Sequence, residues 1–440
     1  MTQEKTTDRA ERRVSTRVSR RDVLRGLSGA AFLGALAPGG GTARKPAPAS
    51  ARKSRSGKRV IVVGAGAFGA FSALSLARRG ARVVLVDAWG PGNSRASSGG
   101  ETRVIRAVYG PEPIYVEMVS RAFELWQENE RRWKRKLYHR TGAIWMVTGP
   151  DEFVRASLPL LSKHGFPYEE VSTSDARRRW PQIDFEGVRW VLHEQRAGYL
   201  LARASCAAAV EAFVGDGGEY REARVEPAAL RAGNLDGLRA DGAALSADEY
   251  VFACGPWLGR LFPDVLGDRI APTRQEVFFF GTPPGDLRFS EGTMPVWVDF
   301  GSRLVYGIPG NENRGFKLAD DTRGPDFDPT SGDRLVSASG LAAAREFLAR
   351  RFPTLKEAPL LESRVCQYEN TPDHRFVFDR HPRASNVWLA GGGSGHGFKM
   401  APAVGERVAD LVLGKRPVDP FFGLARFAAS SGRAAPEVLA

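Results

Sequence analysis

After residue 58 the hydrophobic positions fall into short unbroken runs and into helical spacings. Val60 to Val63 is an apolar run, Ala70 to Arg79 has the make-up of a helix, and Val83 to Val86 is a second apolar run ending in Asp87. Apolar runs of this length bounded by glycine read as strands, so the stretch predicts strand, helix, strand. From Ile114 to Lys134, Met118, Ala122, Leu125 and Trp126 share one side of a helix, the pattern of an amphipathic core helix. Further helices are expected from Leu201 to Val214, Leu335 to Arg350 and Met400 to Leu413. Further strands are expected from Asp248 to Cys254, Val277 to Phe280, Leu304 to Ile308 and Val387 to Ala390. The segment RVCQYENTPDHRFVFD, Arg364 to Asp379, predicts a strand, a Pro-Asp turn and a second strand. Strand-like and helical stretches alternate without an internal repeat, and the first unit looks interrupted by material from another domain.

The chain before residue 59 follows a different rule. Ser19-Arg20-Arg21-Asp22-Val23-Leu24-Arg25 is a twin-arginine sequence, and an uncharged, mildly apolar run from Gly26 to Ala43 follows it. Pro38 and the three glycines Gly39 to Gly41 make that run a poor membrane-spanning helix. The order is that of a bacterial twin-arginine (Tat) export signal, expected over residues 1–51, with a basic, Pro- and Ser-rich linker over 52–58. An exported, periplasmic or extracellular protein follows, with the Tat machinery as a partner. Charge agrees with this division. Residues 1–59 carry 15 Lys/Arg against 4 Asp/Glu, whereas the remaining 381 carry 48 against 46. The near-neutral body removes the support for nucleic-acid binding that a net charge of +13 suggests.

Gly64-Ala65-Gly66-Ala67-Phe68-Gly69 stands between the first strand and helix as GxGxxG. Gly64 permits a tight turn, Gly66 lets a pyrophosphate approach the backbone, and Gly69 lets helix and sheet pack closely. The helix N-terminus offers free N–H groups to phosphate, and Asp87 can accept hydrogen bonds from a ribose. The frame implies a dinucleotide and leaves FAD and NAD open. A second strand, glycine loop and helix lies at Val387 to Leu413, with Gly391, Gly392, Gly393, Gly395 and Gly397 in the loop together with Ser394, His396 and Lys399. Two such units favour a large dinucleotide over NAD. Cys206, Cys254 and Cys366 are too few and too far apart for a disulfide scaffold or a CxxC site, and the six histidines form no HExxH pair, so no metal is expected. On composition alone Cys366 reads as a buried strand cysteine.

Four blocks together resemble the monomeric sarcosine oxidase and N-methyltryptophan oxidase family of D-amino-acid-oxidase-like flavoproteins. They are the GxGxxG unit, Gly99-Gly100-Glu101-Thr102-Arg103-Val104-Ile105-Arg106 with Tyr109-Gly110, the Cys366 to Asp379 block, and Ser394-Gly395-His396-Gly397-Phe398-Lys399. The resemblance covers about Arg59 to Phe422. It implies an α/β fold: a discontinuous Rossmann-like FAD-binding domain (59–133, 196–268 and 366–424) plus a substrate domain with a mixed β-sheet (134–195 and 269–365), then a tail over 425–440. It implies FAD, held covalently through a thioether at Cys366, and contacts to FAD from Gly64, Gly66, Ala67, Phe68, Gly69, Asp87, Thr102, Arg103, Gly393, Ser394, Gly395, His396, Gly397 and Lys399.

The resemblance further implies that Arg106 and Lys399 clamp a substrate carboxylate, that Arg103 lies beside the flavin, and that Tyr109 and Tyr368 line the substrate cavity. A salt bridge with Glu101 is the other reading of Arg103. In the family's pattern Gly99 replaces a histidine, and Gln275 takes the place of a lysine that activates oxygen. A neutral Gln275 cannot stabilise superoxide. The expected reaction is oxidation of the C–N bond of an amino acid (secondary, N-methyl or cyclic amine favoured) to an imine, with O2 as acceptor giving H2O2. The alternatives are a dehydrogenase that passes electrons to a quinone or carrier, and a primary amino acid as substrate. A monomer is expected.

Overall fold

The protein is described here from a computed structural model that covers residues 57–226 and 233–429. The expected export signal, the linker through residue 56 and the tail beyond 429 lie outside the described residues.

Among the described residues, two large sheets organise the chain. The first has six strands in the order Val377–Arg380, Val387–Gly391, Glu249–Phe252, Arg59–Val63, Arg82–Asp87, Glu219–Glu222. All neighbours are parallel except the outermost Val377–Arg380. Its central strands are apolar on both sides because both faces are covered. Helices Ala67–Arg78, Pro113–Trp133, Ala202–Gly215 and Ala401–Val412 bury one face. Leu258, Leu266 and the short ribbon of Leu238–Ala240 with Ala243–Leu245 bury the other. Strand Arg59–Val63 lies between Glu249–Phe252 and Arg82–Asp87, where the strand order reverses; open parallel sheets bind ligands in the crevice at such a point.

The second sheet has eight strands in the order Leu360–Asn370, Ala271–Phe280, Phe316–Asp320, Leu304–Ile308, Val296–Phe300, Ala143–Val147, Trp190–Glu194, Tyr168–Val171. It is mixed: Val296–Phe300 runs parallel to Ala143–Val147 and the other pairs are antiparallel. Its residues alternate between two environments, as the pleat requires. Ile144, Met146, Trp297, Val305, Phe316 and Leu318 pack under helix Ala338–Arg351. Trp145, Val298, Leu304 and Tyr306 face the other way, toward the helices of the first sheet. Arg351 reaches beneath the sheet to Asp299 at 2.7 Å, a buried ion pair. A three-stranded sheet of Thr102–Ile105, Gly198–Leu201 and Tyr138–His139 supplies further backbone beside the site.

The Arg364 to Asp379 segment differs from a simple hairpin. Its first strand, Leu360–Asn370, belongs to the eight-stranded sheet and its second, Val377–Arg380, to the six-stranded one. The Pro-Asp turn therefore carries the chain from one sheet to the other, and the domain boundary expected at 366 falls inside one continuous strand. Strand Ala271–Phe280 begins six residues before the expected Val277, because the polar Thr273 and Gln275 on its inner face are buried.

Candidate functional site

The helix after GxGxxG starts at Ala67, with Gly66 extended before it and no side chain capping its first N–H groups. Gly64 has φ +102°, and a Cβ there would lie 2.4 Å from the Ala253 carbonyl oxygen. A Cβ on Gly69 would lie 1.8 Å from the Gly64 oxygen, so the loop and helix meet backbone to backbone. Asp87 accepts from the Ala65 N–H at 2.7 Å and the Trp89 N–H at 2.8 Å, which aims its carboxylate along the loop. Burial raises its pKa, against those two bonds.

These residues open onto a cavity of about 340 Å3. Its walls include Gly64, Gly66, Ala67, Phe68 and Asp87 at one end and Arg103, Tyr368, Gly393, Gly395 and Gly397 at the other. Ser97 and Glu369 also line it, and Ser97 Oγ and Glu369 Oε2 are buried without hydrogen-bond partners among the described residues. Buried polar atoms are rarely left so, and these are where the hydroxyls of a bound ribose or ribityl chain would be met. Burial lifts the Glu369 carboxyl to about 7, against the N–H groups of Gly393 and Gly392. Ser394 takes φ +43° to close the second glycine loop, and its Oγ accepts from the Thr371 N–H at 3.1 Å. The cavity, the open helix end and the unpartnered acceptors fit a dinucleotide.

A second cavity of about 50 Å3 adjoins the first, sharing Arg103, Gly395 and Phe398 as walls. Arg106, Lys399, Trp145, Tyr306 and Asp321 also line it. The Arg106 guanidinium carbon lies 4.8 Å from the Tyr109 ring centre and 5.0 Å from that of Trp145, and its Nη1 donates to the Val108 carbonyl. Lys399 Nζ donates to Tyr109 Oη and to the His396 carbonyl, both at 2.9 Å. A buried guanidinium and a buried lysine amine thus meet over one tyrosine. Burial and then Arg106 lower the Lys399 pKa well below the ordinary lysine range. His396 is held by the His374 carbonyl at 2.9 Å, and burial followed by Lys399 keeps its ring neutral.

The sequence model for FAD dependent oxidoreductases (DAO) matches residues 59–411. The chain belongs to this family. Among curated relatives of this FAD-dependent family, the monomeric sarcosine oxidase of Streptomyces avermitilis is 34% identical over 362 residues, covering 80% of this chain and 93% of that one. The N-methyl-L-tryptophan oxidase of Yersinia pestis is 27% identical over 376 residues, covering 84% and 99%. The solved L-proline dehydrogenase from P. horikoshii superposes with a TM-score of 0.75 at 20% identity, covering 86% of this chain and 99% of that one, a likeness of fold.

With FAD as the family's cofactor, the sequence-predicted residues can be placed. Arg103 sits where both cavities meet. Its Nη2 donates to the Ser97 carbonyl at 2.7 Å and to Cys366 Sγ at 3.2 Å. Cys366 is not among the residues of either wall; its sulfur touches two that are, 3.2 Å from Arg103 Nη2 and 3.6 Å from the Ser97 oxygen. The salt-bridge reading of Arg103 does not hold, since Glu101 pairs with Arg364, Arg203 and Arg314. Thr102 is buried, and its carbonyl accepts from Arg103 Nη1 at 2.8 Å. Gly99 leaves no room for a side chain on this backbone, because a Cβ would lie 1.9 Å from the Asn93 oxygen.

Two expectations need correction. Tyr109 is fully buried and is among the wall residues of neither cavity; its hydroxyl accepts from Lys399. Gln275 also lines neither cavity. Its amide donates to the Thr322 carbonyl at 2.9 Å and accepts from the Gly324 N–H at 3.0 Å, so it ties down the turn after the neighbouring strand. Besides Lys399 there is a second buried lysine that the sequence reading missed; it too lines neither cavity but lies next to Arg103. Lys317, on Phe316–Asp320, is buried, and its Nζ donates to the Thr102 carbonyl at 2.9 Å beside Arg103. Burial and then Arg103 lower its pKa. The signal was the alternation Phe316, Lys317, Leu318, which puts a cation on the inner face of a buried strand. Tyr306, Trp145 and Asp321 were also missed; each sits on or just past a strand of the second sheet.

Proposed function

We propose that the protein oxidises the C–N bond of an amino acid whose nitrogen is a secondary, N-methyl or cyclic amine, giving an imine, with O2 as acceptor and H2O2 as second product. The observation that carries this is the pairing of Arg106 and Lys399 on the wall of a small cavity that opens onto the dinucleotide cavity. A guanidinium and an ammonium 4.8 Å and 5.2 Å from one tyrosine ring centre form a seat for a carboxylate. Seated there, the substrate presents its α-carbon toward Arg103 and Gly395, the walls that both cavities share. Bound FAD supplies the two-electron acceptor. Arg103, half-buried and cationic, favours negative charge in the neighbouring cavity. The names of the relatives support the amine class: sarcosine and N-methyl-L-tryptophan are both N-methyl amino acids.

Covalent attachment of FAD at Cys366 belongs to the same proposal. Its support is a thiol that lies 3.2 Å from the Arg103 guanidinium, where the two cavities meet. Lys317 favours O2 over a quinone or carrier, because a lysine beside the site can stabilise the charge formed when oxygen is reduced. Export by the twin-arginine route rests on residues 19–43 alone.

The test is anaerobic titration of the purified yellow protein with N-methyl, cyclic and ordinary amino acids. Bleaching of the flavin band by the first two groups is the expected result, and Arg106→Ala or Lys399→Ala should raise the half-saturating concentration at least about a hundredfold. A flavin that no amino acid bleaches sinks the proposal. In acid, flavin should stay with the wild-type polypeptide and leave Cys366→Ser.

A further inference from the structure

Asp321 follows strand Phe316–Asp320, and its N–H donates to the Leu304 carbonyl at 2.8 Å, which fastens it across the sheet. The Tyr368 hydroxyl donates to its Oδ1. The residue is 8% exposed, and it is the one carboxylate among the wall residues of the small cavity. A buried carboxylate that faces a cavity is costly unless something meets it there. Burial does raise its pKa, while Tyr368, Arg106 and Lys399 oppose the shift. Arg106 and Lys399 are already turned to Val108, Tyr109 and His396, so the cavity has a cationic and an anionic side with room only for a small ligand head between them.

We propose that Asp321 is the amine-recognising residue of this cavity, accepting a hydrogen bond at Oδ2 from the nitrogen of a substrate whose carboxylate lies on Arg106 and Lys399. This rests on the reading of the cavity as the substrate site, and it makes the site selective for zwitterions. The cation pair alone would accept any small carboxylate. Asp321 adds a requirement for a basic nitrogen on the adjacent carbon and turns the C–N bond toward Arg103.

The experiment uses the flavin-loaded protein and matched probes, L-proline against cyclopentanecarboxylate and N-methylglycine against butyrate, titrated anaerobically and followed by the flavin spectrum. Asp321→Asn keeps an acceptor for the Tyr368 hydroxyl. It should weaken both amino acids about ten- to a hundredfold and leave the plain acids unchanged or tighter. Proline binding to the wild-type protein should also weaken as pH falls through the raised Asp321 pKa, and this dependence needs no variant. Equal losses for acids and amino acids, no loss for either amino acid, or a loss confined to amino acids with cationic side chains would each overturn the proposal. Response of the wild-type spectrum to acids but to no amino acid refutes Asp321 alone and leaves the cation pair standing. Response to neither refutes the substrate-site reading, and the role of Asp321 with it.

Discussion

Lys317 has no motif around it in the sequence, yet the structure sets it beside Arg103. A lysine with 2% exposure, donating to the Thr102 carbonyl beside Arg103, is held in place by the backbone of the site itself. Lys317→Met keeps the length of the stem and removes the charge. We expect anaerobic bleaching by substrate within about threefold of wild type but reoxidation by O2 slowed about a hundredfold or more, as stopped-flow absorbance would record. In the wild type the oxygen step should slow as pH rises through the lowered Lys317 pKa, because the cation is the useful form. Unchanged reoxidation in the variant would return the quinone or carrier reading. Reading Gln275 in this position was an error of register. It lies on the inner face opposite Cys366, one strand away from Lys317, and linear order gives no sign of which buried polar residue reaches the cavity. Arg103, Arg106 and Lys399 were legible because each stands in a dense local motif. Asp321 and Tyr306 were not, since each is a single residue on or beside a strand and becomes part of the site only through sheet pairing.

At the scale of elements, the glycine loop and its helix tolerate the least change. Gly69→Ala would drive a methyl into the Gly64 carbonyl, which cannot move without breaking the Gly64 N–H bond to Val86 at 2.7 Å. The expected cost is about 3–5 kcal/mol with loss of bound flavin, measurable by denaturant unfolding and by the ratio of flavin to protein absorbance. Helices Pro113–Trp133 and Ala401–Val412 and strand Leu304–Ile308 fall within about two residues of their sequence-based limits, because their apolar spacing is strong. Strand Ala271–Phe280 was half hidden. Thr273 and Gln275 are buried for their hydrogen bonds rather than their hydrophobicity, and a pattern of apolar positions is blind to that.

For the whole molecule, buried titratable groups make stability depend on pH in opposing senses. Glu369 is raised from 4.5 to about 7, so the stability it contributes is complete below about 4.5 and is lost as pH rises through about 7. The size is about 3 kcal/mol at most. His374 is lowered from 6.5 to about 4, so its contribution is present above 6.5 and is lost as pH falls toward 4. Glu369→Gln cannot titrate. The melting temperature of the variant should therefore gain on wild type between pH 5 and 8, and a difference that stays flat would show that Glu369 ionises freely in the folded chain.

Strand Leu360–Asn370 runs in the eight-stranded sheet. The sulfur of Cys366 hangs from one sheet, whereas the glycine turn at residues 64–69 crowns the other. If the proposed thioether forms, a cofactor gripped by the turn and bonded to the sulfur is a stitch through both layers of cloth, and Cys366→Ser, by cutting the thread, should lower the melting temperature of the flavin-loaded protein in calorimetry.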